Sequence, residues 1–284
     1  MSTDFPVFLP VGAFRWRELG YSFQLDVPLR LRDLDASGQP EPWLVLLAVF
    51  EEARAGQFAN LHRAVDCMLQ ASDWALLRAA AELLGNAGTS ACLKDALQRL
   101  RSEIFDSRDV ALQVEFCRSL WCSHLLWTAP VIAKIFTEIE DHGEAEIVSI
   151  HLARLLGSSS NWQVGGLELD GVAFEEEVRR RYGALRAIRG DDEIPVLEGE
   201  VYSVKKMAVD FLAMLKSERD LMEADFFGFR QKFEAATGID CAGMFSAGVP
   251  QPLVAAGIVE GFLEGAAVQG YRPGVRYFFG HEIR

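Results

Sequence analysis

The feature that most constrains this chain is the return of apolar residues at a fixed interval of 36. Ala80, Phe116 and Leu152 stand 36 apart, as do Ala81, Cys117 and Ala153, and so do Leu84, Leu120 and Leu156. One further step back meets Leu44, Val45 and Ala48, which are apolar too. Inside each interval the apolar positions follow helical spacing. Trp74, Leu77, Ala80, Ala81 and Leu84 share one face, and Leu93, Leu97, Leu100 and Ile104 share the next. Val110, Val114, Cys117 and Leu120, then Val131, Ile135, Phe136 and Ile139, continue the alternation. A two-helix unit buries such a stripe only against its neighbours, so this period predicts stacked helical hairpins. The alternative is a non-repetitive helical bundle. Asp73 is placed as an N-cap, Gly85-Asn86-Ala87-Gly88 as a helix stop, and Pro130 in the first turn of a fourth helix.

The flanks of this region read differently. Residues 1–42 form an N-terminal β-rich segment: Phe23-Gln-Leu25-Asp-Val27-Pro-Leu29-Arg-Leu31-Arg alternates with period two. Pro28 cannot donate to a ladder, which makes this an edge strand, with an earlier strand around Val7–Arg15. Residues 43–160 hold the helical repeats. Residues 161–200 form an irregular connector with one charged helix over Phe174–Ile188, ending in the loop 189–195. Residues 201–284 form a helical region with stripes Met207/Phe211/Met214 and Phe226/Phe229/Phe233, a helix starting at Pro252, and an aromatic tail. Tyr277, Phe278 and Phe279 favour an extended terminal strand, placed beside the N-terminal ones. The fold class is therefore mostly α: a solenoid of helical hairpins with a small β element.

Charge narrows the partners. The chain carries 28 Lys+Arg against 41 Asp+Glu, a formal net charge of −13. A nucleic-acid binder needs a basic face to neutralise phosphates, and no basic run occurs. An acidic surface attracts basic proteins instead. Cys67, Cys92, Cys117, Cys122 and Cys241 make an odd set without a CxxC pair, and three of them fall among apolar helical residues. That favours free thiols in a reducing cytoplasm. Residues 1–10 show no signal-peptide pattern, and no apolar run is long enough to span a bilayer.

The search for catalytic chemistry returns little. His62, His124, His142, His151 and His281 are scattered, with no HxH, HExxH or Cys/His cluster, so no metal site is expected. His151 lies among Ile150, Leu152 and Leu155 and reads as a packed histidine. His281 beside Glu282 is a weak acid–base pair. No phosphate loop or GxSxG elbow occurs. Gly257, Gly261 and Gly265 repeat every four residues, which points to close helix packing. No cofactor is expected, and the chain is not expected to be an enzyme. Clustered acids are the remaining candidates for partner binding. Glu138, Glu140, Asp141, Glu144 and Glu146 gather near an inter-repeat turn without Lys or Arg among them, and Asp191, Asp192 and Glu193 lie in the connector loop.

Two resemblances follow from particular residues. Asp73–Gly88 followed by Leu93–Leu100, with Leu77-Arg78, Ala80-Ala81 and Leu84-Gly85, resembles a HEAT-type repeat. The next unit departs from that pattern, with Glu115-Phe116-Cys117 where an Arg and alanines belong. The run from Phe229 through Gly238, Pro252 and Phe262 to Pro273-Gly274-Val275-Arg276-Tyr277-Phe278-Phe279-Gly280-His281 is similar to the tails of immunity proteins from bacterial polymorphic toxin systems. That resemblance implies a cytoplasmic protein that neutralises a cognate toxin by stoichiometric binding, with a basic toxin such as a nuclease favoured by charge. It implies no catalytic residues. A HEAT-like scaffold or adaptor is the second reading. A repeat-solenoid enzyme, such as a pigment lyase or a base-excision glycosylase, is the third.

Overall fold

The computed structural model describes residues 41–106, 109–139, 142–157, 171–216, 223–246 and 249–284. The strands expected at Val7–Arg15 and Phe23–Arg32 lie outside the described residues. Among those described, the chain is mostly helical, with three two-stranded antiparallel sheets. It forms two compact units. Residues 58–202 make one unit, and residues 41–57 together with 203–284 make the other. The helix carrying Leu44, Val45 and Ala48 therefore belongs with the C-terminal elements.

The continuous unit opens with α2 (His62–Leu69; α1, Pro42–Arg54, belongs to the other unit), α3 (Trp74–Ala87), α4 (Ser90–Arg99) and α5 (Arg101–Phe105). It continues with α6 (Val110–Ser123), α7 (Thr128–Phe136), α8 (His142–Leu156) and α9 (Gly171–Arg189). The N-caps repeat with the period: Asp73 accepts from the Leu76 amide at 2.8 Å, and Asp109 accepts from the Leu112 amide at 3.1 Å. Each satisfies a backbone donor that the helix itself leaves open. α3 packs on α2 and α6, α6 on α7 and α8, and α8 on α7 and α9. All nine apolar residues that define the 36-residue columns on α3, α6 and α8 are buried. The helix expected over Leu93–Ile104 is divided, because Leu100 leaves helical geometry between α4 and α5.

Gly85 explains how α3 and α6 approach so closely. A Cβ there would lie 2.5 Å from the Ser119 carbonyl oxygen and 2.6 Å from Cys122 Cβ, so only glycine fits. After α9, residues 190–197 are tied to the turn that follows α6. Trp127 and Leu126 amides donate to the carbonyls of Asp192 and Ile194, and the Val196 amide donates to the His124 carbonyl. A short hairpin, β1 (Val196–Leu197) with β2 (Glu200–Val201), closes this unit.

The second unit contains α1 (Pro42–Arg54), α10 (Val204–Leu215), α11 (Glu223–Thr237), the hairpin β3 (Phe245–Ser246) with β4 (Val249–Pro250), α12 (Pro252–Glu264), and the hairpin β5 (Arg276–Phe278) with β6 (His281–Ile283). Its core is aromatic. Phe211 stacks on Phe229 at 3.7 Å, Phe233 meets Phe262 edge-on at 5.1 Å, and Phe50 of α1 meets Phe278 edge-on at 6.2 Å. The terminal strand pairs within its own hairpin, through Phe279 and Gly280, both at positive φ. The amides of those two turn residues donate to the carbonyls of Ala235 and Ala236 at 2.7 and 2.8 Å, capping the end of α11. Tyr277 Oη accepts from the Arg272 amide and donates to the Gly270 carbonyl, which pins the approach to β5. The close packing expected along Gly257 and Gly261 is not found among the described residues, where a Cβ at either position of α12 would meet no atom within 4 Å.

Candidate functional site

The most distinctive grouping of charge and aromatic surface lies on α3, α6 and α8. Trp74 stands at the start of α3 and is 41 % exposed, unusual for so large an aromatic. One helical turn later Arg78 lays its guanidinium over the Trp74 ring, 3.7 Å from the centroid. Arg78 Nε donates to Glu115 Oε1 on α6 at 3.2 Å. Arg118, three residues on, donates from Nε to the other carboxylate oxygen of Glu115 at 2.6 Å. Arg118 Nη1 also lies 3.9 Å from Glu82 of α3, and its guanidinium sits 5.1 Å from the Trp121 ring. Trp121 in turn stacks on His151 of α8, with centroids 3.5 Å apart and planes at 14°. A ladder of Trp74, Arg78, Glu115, Arg118, Trp121 and His151 thus runs across three helices, from the exposed Trp74 over the buried Glu115 to the half-buried His151.

The burial is graded in a way that decides the chemistry. The Glu115 side chain is fully buried and the Glu82 side chain nearly so, whereas Arg78 and Arg118 keep part of their side chains in solvent. The carboxylates form the floor, and the guanidiniums form what a partner would meet. Glu115 is divided between two cations and lies nearer to Arg118. Burial, followed by repulsion from Arg118, holds the Arg78 guanidinium below the ordinary arginine range. Arg118 is displaced the other way. Burial opposes its charge, but Glu115 and Glu82 raise it above the usual value.

The acids singled out from sequence are distributed differently. Asp192 accepts from Tyr182 Oη at 2.8 Å and lies 3.7 Å from Arg186 Nε. Glu193 pairs with Lys94, and Asp191 accepts from the Glu193 amide at 2.9 Å. Asp192 and Glu193 lace the loop onto α9 and α4, and Asp191 braces the loop from within. Glu138 is half-buried after α7. Glu140 and Asp141 lie outside the described residues. Glu144 and Glu146 fall on α8, whose side chains before Val148 are not among those described. His281 and Glu282 do not form an acid–base pair. The His281 ring lies against Gly56, and Glu282 pairs with Arg272 and, at 3.0 Å, with Arg284. Those two guanidiniums hold the Glu282 carboxyl below the usual range.

Among the described residues, no group of three or more His, Cys, Asp or Glu side chains could hold a metal ion, and no helix is long and apolar enough to cross a membrane. All five cysteines are free thiols. Burial pushes Cys67 up to about 12 and Cys92 up to about 11, so neither is an activated nucleophile. No family model, no curated protein and no solved structure matches this chain.

Sequence reading missed the ladder. Arg78 and Glu115 are 37 residues apart, one repeat plus one, and Arg118 lies one helical turn beyond Glu115. That interval was the available signal, because a stacked pair of equivalent helices brings residues one period apart face to face.

Proposed function

We propose that this chain is a protein-binding module built on stacked helical hairpins, and that its partner is a cognate toxin neutralised by stoichiometric binding. The observation that carries the binding reading is the ladder, and above all its open end. A large aromatic and an arginine stacked on it are left partly exposed over a buried, charge-matched floor. Tryptophan and arginine are the residues over-represented where interface energy concentrates, and a fixed side-chain pair loses little entropy on binding. The recurrence of α3, α6 and α8, the first two with matching caps, supports the hairpin arrangement, which offers a broad surface. The toxin assignment rests on the resemblance of the aromatic tail to immunity proteins. The net charge of −13 adds long-range attraction for a basic partner.

The test is co-expression with the toxin encoded beside this gene, scored by cell survival and by recovery of a one-to-one complex. Survival with a co-purifying toxin is the expected result. A scaffold or adaptor would instead recover endogenous partners and give no rescue, and that outcome would remove the toxin reading.

A further inference from the structure

We propose that Trp74 and Arg78 form an anchor that receives an aspartate or glutamate side chain of the protein partner. The inference rests on the protein-binding reading and names the chemistry of one contact within it.

Three observations lead there. Arg78 makes one hydrogen bond, from Nε to Glu115, and its terminal nitrogens have no hydrogen-bond partner among the described residues. A guanidinium has five donors in a planar fork that matches a carboxylate, so most of the recognition capacity of Arg78 is unspent. Secondly, its countercharge is shared. Glu115 sits 2.6 Å from Arg118 Nε and 3.2 Å from Arg78 Nε, which leaves Arg78 the less compensated cation of the two. Lastly, Trp74 holds the guanidinium flat at 3.7 Å and is itself 41 % exposed, so an arriving carboxylate meets an oriented fork beside an apolar wall. The ring fixes one face of the guanidinium while the in-plane donors remain available.

A nucleic-acid phosphate could satisfy the same fork, but it would come on a polyanion approaching a chain of net charge −13. A single acidic side chain on a protein carries no such penalty. Overall attraction for a basic partner and local capture of one of its carboxylates are compatible, because screening confines the local interaction to about 8 Å at physiological salt.

The test uses the full chain at physiological ionic strength. Three probes are titrated, with tryptophan fluorescence and calorimetry as readouts: a blocked hexapeptide with one glutamate among serines, the same peptide with glutamine in its place, and a short oligothymidylate. The glutamate peptide is expected to bind and perturb the fluorescence. Trp74→Phe should remove the fluorescence change. Arg78→Ala should weaken binding about tenfold, the scale of one hydrogen bond to a charged group. Arg78→Lys should weaken it less, because charge is kept and the fork is lost. Arg180→Ala on α9 serves as an exposed-arginine control and should bind like the unaltered chain. Failure of the glutamate peptide to bind, equal or tighter binding of the glutamine peptide or the oligonucleotide, or an equal loss with Arg180→Ala overturns the anchor. If Arg78→Ala unfolds, Arg78→Lys and Trp74→Phe decide the matter. Toxin rescue combined with failure of the peptide test would leave the protein-binding function standing and remove only the anchor.

Discussion

Glu115→Ala is the perturbation that best probes the ladder. The Glu115 side chain is fully buried and accepts from Arg78 Nε at 3.2 Å and Arg118 Nε at 2.6 Å. Its removal leaves two guanidiniums facing each other with Glu82, 3.9 Å from Arg118, as the remaining nearby countercharge. Removing one partner of a buried ion pair costs about 3–5 kcal/mol, because the desolvated charge left behind has nothing to offset it. Glu82 stays beside the pair and solvent reaches part of both arginine side chains, which places the expected loss at the lower end, about 3 kcal/mol. Glu115→Gln keeps the shape and one acceptor, and should cost about 1–3 kcal/mol. The assay is urea unfolding followed by tryptophan fluorescence, with hydrogen exchange in α3 and α6 to locate the effect. At a slope of about 1–3 kcal/mol per molar, the Ala variant should shift the midpoint by roughly 1–3 M. A loss under about 1 kcal/mol for Glu115→Ala, within the range of exposed pairs, would show that solvent screens the ladder and refute the reasoning.

Four further outcomes follow from the same geometry. Gly85→Ala should destabilise the continuous unit by about 1–3 kcal/mol, measured by thermal unfolding, because the new methyl collides with the Ser119 carbonyl. Gly238→Ala should lower stability by about 1–2 kcal/mol, since Gly238 has φ +69° and a Cβ there would lie 2.9 Å from Phe279. Glu177 is held down to about 2, first by its hydrogen bond to Arg180; its stabilising contribution is present above the usual glutamate range and disappears as pH falls toward about 2. Glu177→Gln should therefore lower α9 stability slightly at pH 7 and not at pH 2, read by circular dichroism, the effect being small because the pair is exposed. Thiol labelling of the native protein at pH 8, followed by mass spectrometry, should modify Cys92 first, the one half-buried cysteine, with the other four protected until unfolding.

The repeat region was legible because helical burial leaves a periodic trace. Ala80, Phe116 and Leu152 occupy equivalent places in equivalent helices, and each is fully buried. Caps such as Asp73 were legible because their chemistry is local. The ladder was not, because it depends on how far side chains reach between neighbouring helices. Glu115, which breaks the HEAT-like pattern, is the residue that joins Arg78 to Arg118. Likewise, the spacing of Gly257 and Gly261 shows that one side of α12 is smooth, and spacing alone does not show whether anything rests on it. Asp192 and Glu193 read as part of a charged loop because their partners, Tyr182, Arg186 and Lys94, come from elsewhere in the chain.

The grouping of α1 with residues beyond 203 has a consequence for biosynthesis. Phe50 leaves the ribosome long before Phe278, its eventual neighbour. Meanwhile the intervening stretch, 58–202, forms a compact unit and can condense while translation continues. Once condensed, it shortens the tether that Phe50 must span, which lowers the entropic barrier to closing the discontinuous unit. The nascent chain should therefore acquire protease resistance in two steps, the inserted segment first and the unit that brackets it last.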